Sequence, residues 1–93
     1  MKRYPEITTL ELTDAATVYS FTLPADTKAY TIKTRGVTAF KVAYANGGIA
    51  AGNYLTIPAG NAESEDGLNR EDSITIYVQG EVANETLEIK RWR

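Results

Sequence analysis

The chain has 93 residues, 43% of them apolar, and ten Lys and Arg against twelve Asp and Glu for a net charge of −2. That is the composition of a single soluble globular domain, and no stretch approaches the ~18 apolar residues of a membrane-spanning helix. There is no cysteine and no histidine, which removes disulfides, zinc fingers, Cys nucleophiles, Ser-His-Asp triads and imidazole-ligated metals.

Met1–Pro5 carries Lys2 and Arg3 with no apolar run behind them, so the sequence predicts no secretory signal. The lack of cysteine fits synthesis in a reducing cytosol. Ile7–Leu12 is a weak strand candidate. Tyr19, Phe21 and Leu23 then alternate with Ser20 and Thr22, the period of two that marks a strand with one buried face. Pro24-Ala25-Asp26 ends it, because proline cannot donate to a ladder. The same alternation places strands at Tyr30–Thr34 and at Phe40–Tyr44. Ala45-Asn46-Gly47-Gly48 follows as a tight reversal whose residues tolerate positive φ. Tyr54–Ile57 is a second weak candidate, closed by Pro58-Ala59-Gly60.

The acidic segment 63–72 comes next, and Asn69–Asp72 leads into an alternating strand over Ile74–Gln79. Gly80–Asn84 turns the chain into a last strand around Leu87 and Ile89. Asn84-Glu85-Thr86 matches the N-glycosylation pattern by chance, given no secretion signal. No window shows a helical apolar stripe, and Thr, Val and Ile make up 24 residues. The expectation is an all-β domain, a small antiparallel β-sandwich or jelly roll of about seven to eight short strands. The echo between Thr22-Leu-Pro-Ala25 and Thr56-Ile-Pro-Ala59 reads as two strands leaving through similar turns, not as a repeat array.

The segment from Glu63 to Asp72 holds Glu63, Glu65, Asp66, Glu71 and Asp72 with one Arg. Paired carboxylates can cleave a glycosidic bond, but a chain this short leaves little material for a substrate cleft. An EF-hand register from Asn61 puts glycine at position seven where the loop needs it at six, so that match fails. A different calcium site, a docking surface for a basic partner, and a merely solvated loop remain as readings. Only Ser20, Ser64 and Ser73 exist, none in a Gly-x-Ser-x-Gly elbow. Gly47-Gly48 and Gly52 have no Lys-Ser/Thr after them. The sequence thus predicts a non-enzyme with no cofactor and no metal.

Half of the basic residues, Lys2, Arg3, Lys90, Arg91 and Arg93, lie at the two ends. If the terminal strands meet, they form a basic patch around Trp92, with residue types favoured at binding hot spots. The alternative is that Trp92 closes an open end of the sandwich. A nucleic-acid partner is disfavoured by the sequence pI near 5.0, since the rest of the chain repels phosphates. Thr75, Tyr77 and Gln79 form an outward row suited to an oligomer interface or a sugar platform.

The runs Phe21-Thr-Leu-Pro-Ala-Asp26, Tyr54-Leu-Thr-Ile-Pro-Ala-Gly60 and Thr86-Leu-Glu-Ile-Lys-Arg-Trp-Arg93 resemble small virion-associated β-sandwich proteins of tailed bacteriophages, of the head-decoration or cement type. The resemblance implies a structural protein made in the host cytoplasm and located on the virion. Its partners would be the major capsid protein or other virion proteins, and it would act as a homo-oligomer, with a trimer favoured and neither nucleic acid nor membrane involved. The alternatives are a carbohydrate-binding module stacking a glycan on Tyr54, Tyr77 or Trp92, and an adaptor or fibre-attachment protein of the phage neck or tail.

Overall fold

The computed structural model describes residues 5–68 and 72–93. In chain order these form β1 (Glu6–Leu12), β2 (Val18–Leu23), β3 (Ala29–Thr34), β4 (Phe40–Ala43), α1 (Gly48–Ala51), β5 (Leu55–Ile57), β6 (Glu63–Glu65), β7 (Ile74–Gly80) and β8 (Glu85–Trp92). Two four-stranded antiparallel sheets result, ordered β1-β8-β3-β6 and β2-β7-β4-β5. The partnerships are nested: β4 with β5, β3 with β6, β2 with β7 and β1 with β8. A long hairpin folded at α1 and rolled across two sheets has this order, which is that of a jelly roll.

The alternating residues face each other between the sheets. Ile32, Leu87 and Ile89 from the first sheet meet Phe40, Val42, Ile76 and Val78 from the second, all buried. At about 1.5–3 kcal/mol per buried large apolar side chain, this layer is the main source of stability.

Both weak strand candidates are strands. Two elements depart from the sequence expectation. The reversal after β4 contains one helical turn, α1, bracketed by Gly47 at φ 79° and Gly52 at φ 86°, left-handed values that glycine adopts without a Cβ penalty. Within the acidic segment, Glu63-Ser64-Glu65 is strand β6, paired with β3 and tied to it by Thr31 and Ser64 hydroxyls 3.0 Å apart. It is a strand because β3 offers an open edge, not because of its own pattern.

Glu85 anchors the turn between β3 and β4. Its buried carboxylate accepts from the Gly36 amide at 2.9 Å, the Thr38 hydroxyl at 2.6 Å and the Thr86 amide at 2.9 Å. Any Cβ at Gly36 would stand 2.5 Å from that carboxylate. Val37 in the same turn holds φ 61°, an unfavourable value for a β-branched residue.

Candidate functional site

Strand register decides which end groups are available. Glu6 opposes Arg91, Arg91 opposes Tyr30 and Tyr30 opposes Glu65, so these four form one row across the first sheet. Arg91 is in phase with Leu87 and Ile89 and is buried like them. Its guanidinium donates to Glu6 at 3.1 Å, to Asp26 at 2.8 Å and to the Thr27 hydroxyl at 3.2 Å. Arg93 donates to the other oxygen of Glu6 at 3.0 Å. The hydrogen bond from Arg91, then that from Arg93, holds the Glu6 carboxyl below its ordinary range.

The terminal strands do meet, but the basic patch expected there is altered. Arg91 is a structural group whose donors are engaged inside the fold, and Arg93 is ion-paired. Lys2 and Arg3 lie outside the described residues. Lys90 and Trp92 do face out, and beside Lys90 in the register stands Ile7, 69% exposed, with Trp92 at 39%. Among the described residues, this group is therefore two apolar side chains around one cation, Lys90. In the sequence Ile7 is only the start of a weak strand candidate, because nothing but the pairing of β1 with β8 brings it to Lys90.

The acidic segment is also divided. Glu63 accepts from the Tyr44 hydroxyl at 3.1 Å. Glu65 points to the same side as Tyr30, and Asp66 and Asp72 are exposed. Glu71 lies outside the described residues. Among the described residues no three acids gather where they could hold a metal ion, and no helix is long and apolar enough to cross a membrane.

A cleft of ≈ 510 Å³ opens beside β6. It is lined by Tyr30, Tyr44, Glu65 and Leu68, by Ser73 just before β7, and by Ile74, Thr75 and Tyr77 of β7. Its origin lies in the ladders: β4 pairs with β7 only as far as Ala43 opposite Tyr77, whereas β2 continues to Leu23 opposite Ile74. Past Ala43 the chain leaves β7, and Tyr44 turns toward Tyr30, their hydroxyl oxygens 2.5 Å apart. Since Tyr44 donates to Glu63 and a phenol has one proton, Tyr30 must donate to Tyr44. Burial raises the pKa of both phenols, so both remain protonated at neutral pH.

Of the three aromatic platforms proposed for a glycan, Tyr77 alone borders this cleft. The Tyr54 ring carries Lys41 Nζ 4.7 Å from its centroid, and Trp92 stands on the outer face of the other sheet. Compared with known protein families, curated proteins and solved structures, the chain finds no match.

Proposed function

We propose that the chain is a structural protein of a tailed-phage virion that decorates the capsid shell and bridges neighbouring capsid subunits. It acts without catalysis and as a homo-oligomer, with three copies matching a three-fold lattice site. The observation that carries this reading is the outward group of Ile7, Lys90 and Trp92. Ile7 lies on β1, an edge strand whose second ladder side has no partner among the described residues. An exposed apolar pair beside an open strand edge is suited to another copy of the chain. The jelly roll supports the reading by analogy only, since the same architecture serves capsid, lectin and cupin domains. Weak contacts of this kind become firm when a lattice repeats them.

The test has two parts, native mass and occupancy of shells built from the capsid protein of the same genome. Wild-type protein should be trimeric or become so on shells, and Ile7→Asp with Trp92→Ser should abolish both while leaving the circular dichroism spectrum intact. Failure of the wild-type protein to bind such shells would overturn the proposal.

A further inference from the structure

Six acidic residues lie on strands, and five have a hydrogen-bond or ion-pair partner. Glu6 has Arg91 and Arg93, Glu11 has Thr86, Glu63 has Tyr44, Glu85 has the β3–β4 turn, and Glu88 has Lys33 and Arg35. Glu65 has none among the described residues, and it faces the cleft. No described lining residue is basic. Arg91, next in the row, is neutralised by Glu6 and Asp26.

The proton count sharpens the chemistry. Tyr30 and Tyr44 have already placed their single donors. Tyr30 is almost wholly buried, so the exposed Tyr44 is the one that presents lone pairs and a ring face to the cleft, and Glu65 adds a carboxylate that only accepts. An anion would be repelled by Glu65, and a neutral polyol would find acceptors but few donors. A guanidinium or ammonium, which only donates and is attracted to phenol faces, matches both features. The cleft also runs along the part of β7 that β4 does not pair, a place where an extended chain can add as a strand.

We infer that this cleft is a socket for an arginine or lysine side chain presented by an extended segment of a partner protein, held by Glu65 and the rings of Tyr44 and Tyr77. The inference concerns the cleft alone and stands whether or not the chain works on a capsid.

The experiment follows the tyrosine ring resonances of the full chain during titration with acetyl-Gly-Arg-Gly-amide. The arginine peptide should give saturable shifts of the Tyr44 and Tyr77 rings. They should weaken with added salt, and by about tenfold in Glu65→Gln, which loses a charge-assisted contact. Tyr77→Leu should weaken binding as well while leaving the carboxylate in place.

Three results would overturn the inference: no saturation by about 10 mM, equal binding of the citrulline peptide, or displacement by methyl glucoside. Equal binding of methylguanidinium would remove the peptide from it, since the β7 edge would then contribute nothing. Loss of peptide binding with shell occupancy intact would sink this reading and leave the decoration proposal untouched.

Discussion

Glu85 and Glu65 sit on the same side of the β1-β8-β3-β6 sheet, at its two ends, and they live in opposite circumstances. Glu85 is buried under three donors that pin the β3–β4 turn. Glu65 stands at the rim of a cleft with no counter-ion among the described residues. Burial raises the free energy of the Glu85 anion, yet the Thr38 hydroxyl and the amides of Gly36 and Thr86 outweigh it and hold the carboxyl below its ordinary value of 4.5. The contrast separates a charge that the fold consumes from one it leaves for a ligand.

The most forceful way to break the comparison is Glu85→Ala. It strands two amides and a hydroxyl, and about 3 kcal/mol of unfolding free energy should disappear in urea titration. An unchanged midpoint would make Glu85 no more structural than Glu65. Arg91→Met comes second, at about 2 kcal/mol, because the carboxylates it abandons are partly solvated and relax into water. For that reason reversing Arg91 would confound an assembly assay, whereas Ile7 and Trp92 do not anchor the fold.

Acidity should test the Glu85 end in another way. Glu85, Glu6 and Glu88 all have carboxyls depressed in the folded state, Glu6 first by Arg91 and Glu88 first by Arg35. Their stabilisation is fully present above the ordinary value of 4.5 and is lost as pH falls through the lower folded values. Melting temperature should decline on that acid limb, and the decline should be shallower in Glu85→Gln.

Val37→Asn, in the turn that Glu85 holds, should stabilise by about 0.5–1 kcal/mol, because asparagine tolerates φ 61° better than valine does. Smallest of all is Glu65→Gln, within about 0.5 kcal/mol by urea titration. A larger loss would mean that Glu65 belongs to the fold after all.

Much of this was readable from residue order. Every alternating run became a strand, since a period of two is both the cause and the sign of one buried face. β6 was not readable, for Glu-Ser-Glu has no apolar alternation and owes its conformation to the edge of β3. Nor was α1, a single turn set by two left-handed glycines rather than by an apolar stripe. The site was less legible. The phase of Leu87, Ile89 and Arg91 did carry the signal that Arg91 belongs inside, but its charge suggested the surface. The cleft depends on where β4 parts from β7, and no local pattern in the sequence marks that point.

The nested pairing has a consequence for how the protein is made. The innermost strand of each sheet arrives late: β7 joins β2 to β4, and β8 joins β1 to β3. While the ribosome is still translating residues before position 74, β1 and β2 have no ladder partner, and their apolar side chains have nothing to cover them. Non-local pairing of this kind also forms slowly. Until β7 and β8 have emerged the nascent domain is therefore an open, adhesive polymer, exposed in that interval to chaperones and to neighbouring nascent copies.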